Sequence, residues 1–237
     1  GHKWVGLGHF KYIFQLDGSK EAVRNTLIKK KKKIVLGILV PLLLALLINE
    51  IGKKWFAKIV QTTFFLPFFL SWIILGGIIN QMFSYDGIMN SIVSFFGGNK
   101  VLFLLDNNIF RQIIIWSDVW KGMGYNMVIF LAAILGIDPN LYEAAKVDGA
   151  SRLRQIWHIT LPGIVPVVVL VSTLSLGGLL NGNFDQVYVL YNPMVYESAD
   201  IIDTFIYRLG FEGNPQIDVA TAVGLLKSII SVVLVGG

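Results

Sequence analysis

Two carboxylates at helical spacing, Asp200 and Asp203, could carry out acid–base chemistry. Glycoside hydrolases use such a pair, in which one group donates a proton while the other attacks or activates water. In this chain, however, the pair lies in a long polar stretch, residues 181–217, that is typical of a solvated loop. We therefore expect both residues to be solvated or to contact a second protein, and a glycosidase is not indicated.

ATP hydrolysis is a second chemistry that the sequence only imitates. Gly224, Lys227 and Ser228 resemble the end of a phosphate-binding loop, but their spacing is wrong and they lie inside an apolar run. The chain has no cysteine and only three scattered histidines, which indicates neither thiol catalysis nor a zinc site. The sequence therefore predicts a protein that is not an enzyme and has no metal or cofactor of its own.

Asp118 and Lys121 form a charged pair inside another apolar run. Because they lie three residues apart, their side chains share a helix face and can neutralise one another. The alternative is that they contact a substrate, since ionisable residues inside apolar segments often mark functional sites.

The segments that contain these residues belong to a chain whose composition is typical of a membrane protein. Hydrophobic residues make up 54% of the chain and charged residues 15%, and the mean hydropathy is +0.65. The apolar residues occur in blocks of bilayer-spanning length. We predict an all-α, polytopic membrane protein whose net charge of +5 reflects cytoplasmic lysine and arginine rather than nucleic-acid binding.

Five bilayer-spanning helices are predicted, at residues 27–48, 59–83, 112–136, 161–180 and 218–237. The connectors 49–58 and 138–160 each carry three lysine or arginine residues and fall on the same side, which the positive-inside rule assigns to the cytoplasm. Residues 1–26 then form an extracytoplasmic or interfacial segment, residues 84–111 an outer loop with a short interfacial helix, and residues 181–217 a second outer loop. This topology implies one further span upstream of Gly1, in a longer natural protein.

A run of five lysines, Lys29–Lys33, conflicts with this orientation because it opens the first span on the outer side. It leaves only Ile34–Ile48 free of charge, whereas a spanning helix needs roughly 20 apolar residues. We expect the lysines to reach the headgroups or to lie in a thinned or protein-lined zone. An engineered or mistaken sequence at these positions is the alternative.

The cytoplasmic connector, residues 138–160, is predicted to begin with a short helix. Asp138 supplies an N-cap and Pro139 occupies the first helical position, where proline is tolerated. Ala144 and Ala145 are strong helix formers that favour its continuation.

Gly149 supplies a point at which the connector can turn. A second helical piece, Arg152–Ile159, follows, and we expect Pro162 and Pro166 to interrupt it or to mark the start of the next element. Two short helices joined at a glycine would form a compact knob on the cytoplasmic face.

The same connector carries a long gapped motif, in which Glu143, Ala144 and Ala145 are followed at fixed intervals by Gly149, Ile159, Leu161 and Pro162. The motif resembles the EAA loop of binding-protein-dependent ABC import permeases at every signature position. Further matching segments are NTLI at 25–28, LLINEI at 46–51, VQT near Val60, LP at 66–67, SW at 71–72 and the stretch 182–210. The last of these is similar to the carbohydrate-importing branch, in particular to LplB-like permeases for complex oligosaccharides and polysaccharides.

The resemblance implies a type I ABC importer permease bundle in the cytoplasmic membrane of a bacterium. Such a subunit pairs with a second homologous permease, and two ATPase subunits, which bind ATP and Mg, dock from the cytoplasm. An extracytoplasmic binding protein delivers the cargo, here an oligosaccharide or polysaccharide. An acidic polysaccharide of the alginate type would suit a basic protein, although the positive-inside rule already explains the charge.

The resemblance further implies that the connector couples ATPase closure to rocking of the spans. Its alanines permit close insertion into a groove, its charges offer contacts at the rim, and its glycine is the pivot. The candidate coupling residues are Glu143, Ala144, Ala145, Gly149, Arg152, Arg154 and Pro162. The alternative is an ordinary solvated loop that contains a helix.

Sugars bind to aromatic faces together with amide and hydroxyl groups, and this chemistry suggests a second set of residues in or beside the spans. The candidate pathway residues are Trp72, Asn80, Trp116, Tyr125, Asn126, Asn181 and Asn183. Helix packing or interfacial anchoring is the alternative for each aromatic residue. A permease for a non-sugar solute, an ion-coupled secondary transporter and a non-transporting membrane scaffold also stay open, although no proton relay of intramembrane carboxylates is evident.

Overall fold

Helices make up most of the described part of the chain. The computed structural model describes Tyr12, Leu16 and residues 18–178, 180–213 and 215–236, with no side chains for residues 234–236, and these ranges contain no strand. The α-helices are α1 (Ser19–Asn49), α2 (Lys54–Phe65), α3 (Trp72–Phe83), α4 (Ile88–Phe95), α5 (Asn107–Leu135), α6 (Pro139–Val147), α7 (Arg152–Gln155), α8 (Leu161–Gly177), α9 (Phe184–Leu190), α10 (Tyr196–Ala199), α11 (Ile202–Phe211) and α12 (Ile217–Gly236). Short 3₁₀ turns occur at Leu66–Phe69 and Pro193–Val195, and a π-helical turn occupies Ile156–Thr160. The all-α prediction is confirmed.

Two of the described helices are long and apolar enough to cross a membrane, and four spans result if each of two bent helix pairs counts as one. The two are α1 and the continuous helix Arg152–Gly177, which has 26 residues. The helix α12 has 20 residues, the length that the fifth predicted span requires. That span, and the further one upstream of Gly1, stay predictions.

The first span begins earlier than predicted. α1 starts at Ser19 and runs for 31 residues, so Ser19–Thr26 belong to a helix and not to a separate interfacial segment. The apolar run that begins at Leu27 predicts a boundary at residue 26, but α1 continues upstream of it, where Ala22, Asn25 and Thr26 are buried. Most of residues 1–17 lie outside the described residues.

The second predicted span is broken in its middle. Helix α2 passes into a 3₁₀ turn, Leu66–Phe69, that contains Pro67, and a separate helix, α3, begins at Trp72. Pro67 lacks the backbone N–H that a continuing helix needs. The Ser71 hydroxyl then accepts a hydrogen bond from the backbone N–H of Ile74 and caps the start of α3. The predicted interruption at Pro67 is confirmed.

In the fourth span, Pro162 lies in the first turn of α8 and marks the start of that element, which was one of the two predicted alternatives. Pro166 lies inside α8 and does not end it, and the helical path from Arg152 to Gly177 is continuous. The π-helical turn lies directly before α8, and the Leu161 N–H bonds to the Ile156 carbonyl instead of the usual i−4 partner. This wider turn precedes the proline ring, which would otherwise strain the helix.

The described chain divides into two compact units. Unit A contains residues 33–69 and 117–176, and unit B contains the described parts of 1–32, 70–116 and 177–237. The core of unit A is apolar and centres on Phe130, Met127 and Ile164. In α5 a side chain at Gly124 would collide with the backbone of Phe64, so glycine permits a close helix approach there.

Unit B contains the stretch 181–217, which was predicted to be a loop. It folds instead into three short α-helices, α9 to α11, and one 3₁₀ turn. Val187, Val195 and Ile201 from this stretch are fully buried in an apolar core that also contains Phe110 and Ile114 of α5. The loop prediction was wrong because the apolar residues that form the core are interspersed with polar ones.

Candidate functional site

The knob in unit A is built by local capping. The Asp138 carboxylate accepts a hydrogen bond from the Asn140 N–H at 3.0 Å, and Pro139 opens α6. Gly149 has a φ of +74°, a left-handed conformation that non-glycine residues rarely adopt. The Ser151 hydroxyl then accepts a bond from the Arg154 N–H and starts α7. The two predicted short helices and the turn between them are confirmed.

Two side-chain hydrogen bonds join parts of the knob to one another. The Tyr142 and Thr160 hydroxyls lie 2.9 Å apart, and the Gln155 amide donates to the Ala150 carbonyl, also at 2.9 Å. A cleft of about 280 Å³ with a mixed polar and apolar lining lies beside them, and the lining includes the charged residues Glu50, Glu143, Lys146 and Arg152. The knob is therefore a fixed projection whose internal hydrogen bonds set the angle between α6 and α7.

Most of the candidate coupling residues lie on the surface of this projection. The exposed ones are Glu143, Ala144, Gly149, Arg152, Arg154 and Pro162, whereas Ala145 is half-buried. Sequence reasoning missed an apolar component, because Val147, Leu153 and Trp157 are 87%, 69% and 67% exposed. The available signal was the presence of large apolar residues within a polar connector. Exposed apolar groups ringed by charges are typical of a protein-binding surface.

The candidate pathway residues do not form a single group. In unit B, Trp72 is buried, Asn80 is half-buried, and Trp116 and Asn181 are exposed. Asn183, also in unit B, has a φ of +62° and precedes α9 as its N-cap residue.

Tyr125 and Asn126 belong to unit A. The ring of Tyr125 stacks on Phe68, with centroids 4.9 Å apart, and the Asn126 amide donates to the Gly37 carbonyl at 3.0 Å. Both contacts lie within the protein. The stacking of Tyr125 on Phe68 is the helix packing that was the alternative to sugar binding for the aromatic residues.

The two carboxylates at helical spacing in unit B are paired rather than solvated. The Asp200 carboxylate lies 2.5 Å from the Arg208 guanidinium and accepts a bond from the Thr204 hydroxyl at 2.6 Å. Burial raises the pKa of the Asp200 carboxyl, and the contacts with Thr204 and Arg208 oppose that rise. Asp203 pairs with Lys227 of α12 and accepts from the Gly182 N–H. The expectation that these acids are solvated or contact a second protein was wrong for Asp200, which is buried.

Two of the five lysines point into the protein. Lys29 is 3% exposed, and its ammonium donates to the Ala199 carbonyl at the end of α10. Lys33 is 7% exposed and lies 3.5 Å from the Asp118 carboxylate within unit A. The protein-lined zone expected for this run is confirmed at these two positions, which are one helical turn apart. Asp118 therefore has an ion-pair partner, Lys33, that the predicted pairing with Lys121 did not include.

Lys121 has additional partners of its own. Its ammonium donates to the Phe68 carbonyl at 2.9 Å and lies 3.4 Å from the Pro67 carbonyl. The 3₁₀ turn that breaks the second span leaves these carbonyls without a helical partner, and a cation satisfies them. The positive charge of Lys121 therefore stabilises the helix break and also interacts with the nearby Asp118.

An aromatic cluster in unit B was also missed by sequence reasoning. Its rings contact one another with centroids 5.0–5.9 Å apart, and its members are Phe184, Tyr188, Tyr191, Tyr196, Tyr207 and Phe211. The Arg208 guanidinium lies 4.5 Å from the centre of the Tyr196 ring. These residues come from α9, α10 and α11 and, for Tyr191, from the position directly after α9, so no periodicity in the sequence marks them as neighbours.

The helical architecture and the motif in the knob both agree with a known class of transport proteins. The family described as binding-protein-dependent transport system inner membrane component matches residues 37–236. This chain belongs to that family. The permease is therefore a transport subunit of the bacterial inner membrane and not an enzyme, as the motif in the knob implied.

Relatives of the permease include sugar transport subunits from Bacillus subtilis (strain 168). The polygalacturonan/rhamnogalacturonan transport system permease protein YteP is 42% identical over 99% of this chain and 73% of its own length. Protein LplB is 37% identical over 99% of this chain and 74% of its own length. The resemblance to LplB-like permeases is confirmed.

Two crystal structures share the fold. One is of a bacterial ABC transporter involved in the import of the acidic polysaccharide alginate, with 40% identity, a TM-score of 0.94, and coverage of 99% of this chain and 82% of that one. The other is of a bacterial alginate ABC transporter in complex with an alginate pentasaccharide-bound periplasmic protein, with 40% identity, a TM-score of 0.92, and coverage of 98% and 80%. The permease therefore has the predicted helical importer fold.

Proposed function

We propose that the permease imports an oligosaccharide or polysaccharide. We further propose that the knob of residues 138–160 transmits the closure of the ATPase subunits to the membrane spans of the permease. The observation that carries the proposal is the continuous helix Arg152–Gly177, which joins α7 of the knob to an apolar, span-length segment. A force on α7 would therefore move that span directly. The exposed apolar and charged residues of the knob supply a surface on which an ATPase subunit can dock.

The assembly we propose contains a second homologous permease, two ATPase subunits and an extracytoplasmic solute-binding protein. Residues 138–160 would face the cytoplasm and residues 181–217 the opposite side. ATP and Mg would bind to the ATPase subunits alone. The periplasmic partner in the alginate transporter complex supports the expectation of a binding protein.

The carbohydrate class of the cargo rests on the relatives. Those at about 40% identity are named for polygalacturonan/rhamnogalacturonan and for the acidic polysaccharide alginate. We infer an oligosaccharide or polysaccharide cargo, with an acidic chain as the preferred form. The proposed contacts in unit B are Trp72, Asn80, Trp116, Asn181 and Asn183. Tyr125 and Asn126 are separate candidates in unit A.

The coupling role is tested at Gly149 in the reconstituted importer. A side chain at this position meets no atom within 4 Å, so a substitution strains only the left-handed backbone, at about 1–2 kcal/mol. Gly149→Val should therefore abolish substrate-stimulated ATP hydrolysis while the subunits still co-purify. Gly149→Asn is the matched control, because asparagine tolerates this conformation and should retain most of the stimulation. Full stimulation in the valine variant would refute the coupling role.

The cargo class is tested by ATPase stimulation in proteoliposomes that contain the complete importer and its binding protein. We expect acidic oligosaccharides to stimulate turnover more than neutral ones of equal length. Equal stimulation by neutral sugars would refute the acidic preference. Stimulation by an amino acid or a metal chelate, and by no sugar, would refute the carbohydrate cargo and leave the permease assignment intact.

A further inference from the structure

A partly enclosed apolar groove of about 460 Å³ lies within unit B, beside the first turns of α1. One wall is formed by Ala22, Val23 and Leu27 of α1, and the opposite wall by Phe205 of α11 and Val223 and Ile230 of α12. Nearly the whole lining is hydrocarbon. A sugar needs several convergent polar groups, so these walls suit a hydrocarbon chain better than the transported cargo.

Basic side chains border this hydrocarbon surface. Lys20 and Arg24 lie one helical turn apart on α1, line the groove and are exposed, and neither forms an ion pair with a described residue. A third basic residue, Lys227, also lines the groove but is neutralised by Asp203. Two positive charges are therefore left to attract an anion at the α1 border.

A buried hydroxyl lies at the same place. Ser19, another lining residue, is 6% exposed, and its Oγ has no hydrogen-bond partner among the described residues. Such a group normally finds a partner, because an unsatisfied buried hydroxyl destabilises a protein. Ser19 is also the first residue of α1, and the helix dipole favours negative charge at this end of the helix.

We propose that the groove binds an anionic phospholipid, with an acyl chain along its apolar walls and the phosphate beside Lys20 and Arg24. A hydrocarbon tail and a negative headgroup are complementary to the two kinds of lining that meet at α1. The permease lies in a membrane, so such lipids surround it. The site is independent of the transported cargo and belongs to the permease subunit itself.

Native mass spectrometry of the intact importer, with added phosphatidylglycerol or phosphatidylcholine of identical acyl chains, tests this site. We expect one phosphatidylglycerol molecule to be retained more strongly than the rest. The double substitution Lys20→Ala and Arg24→Ala should weaken it about thirtyfold, at roughly a factor of five for each basic side chain near a membrane surface. The matched control is Lys31→Ala with Lys32→Ala, which removes two exposed charges from the same helix outside the groove.

A second variant probes the apolar walls without changing charge. Val23 is a half-exposed groove residue, so Val23→Trp should fill the space and displace the lipid while the protein stays folded. The proposal is overturned if the tryptophan variant retains the lipid fully, if both charge variants weaken binding equally, or if phosphatidylcholine binds as tightly. A photocrosslinker at position 23 that captures the second permease or another part of this chain, instead of lipid, would also overturn it.

Discussion

Two polar segments, residues 138–160 and residues 181–217, both interrupt the apolar sequence but have opposite structures. The first forms an exposed knob on which Glu143, Arg152 and Arg154 point outward. The second folds into core-forming helices and pairs Asp200 with Arg208 inside the protein. Charges that remain exposed beside exposed apolar residues are available to a second protein, whereas charges paired internally serve the fold.

The largest expected effect follows from breaking the internal pair in the second interruption. Asp200→Ala leaves the Arg208 guanidinium without its carboxylate in a mostly buried site. We expect a loss of about 3 kcal/mol of stability, because removing one partner leaves an uncompensated charge. The measurement is the thermal unfolding of the purified protein in detergent.

Asp185→Ala is the control for this variant, since Asp185 is an exposed acid in the same stretch. It should change stability by no more than about 0.5 kcal/mol. Equal destabilisation by the two substitutions would show that the acidic composition of the stretch matters and the buried pair does not.

A smaller loss of stability is expected at Lys29, which ties α1 to the same stretch through the Ala199 carbonyl. Lys29→Met keeps the length of the side chain but removes the charged donor, which should cost about 1.5–3 kcal/mol. Lys31→Met, at an exposed position in the same lysine run, is the matched control. Unfolding temperatures that fall equally in both variants would contradict a specific role for Lys29.

The smallest effect on stability is expected in the knob. Reversing both charges, Arg152→Glu with Arg154→Glu, should change folding stability by no more than about 0.5 kcal/mol because both side chains are exposed. Binding of the ATPase subunit should nevertheless weaken, by roughly tenfold, and more at low salt than at high salt. Co-purification and titration of the ATPase at two salt concentrations measure this effect.

Lys53→Glu with Lys54→Glu makes the same change of charge on the other connector predicted to be cytoplasmic, where both lysines are exposed. This control should leave ATPase binding closer to that of the unaltered protein. If it weakens binding as much as the knob variant, general charge rather than the knob surface controls docking.

Local sequence signals predicted much of the knob. Asp138, Pro139 and Gly149 specify a cap, a helix start and a left-handed turn through contacts within a few residues, which a sequence displays directly. The interruption at Pro67 was predictable for the same reason. Pro162 marks the start of α8 as one predicted alternative had it, but the helical path does not break there, because a π-helical turn precedes the proline.

The sequence by itself determined the membrane class, the helical content and the permease motif, because apolar run length and short-range spacing carry that information. Only the tertiary structure decided which polar residues are internal. The Asn25 amide donates to the Glu197 carbonyl 172 residues away, and Lys29 reaches the Ala199 carbonyl over a separation of 170 residues. Such partners leave no periodic trace in the chain, because burial of a charge depends on which distant group comes to lie beside it.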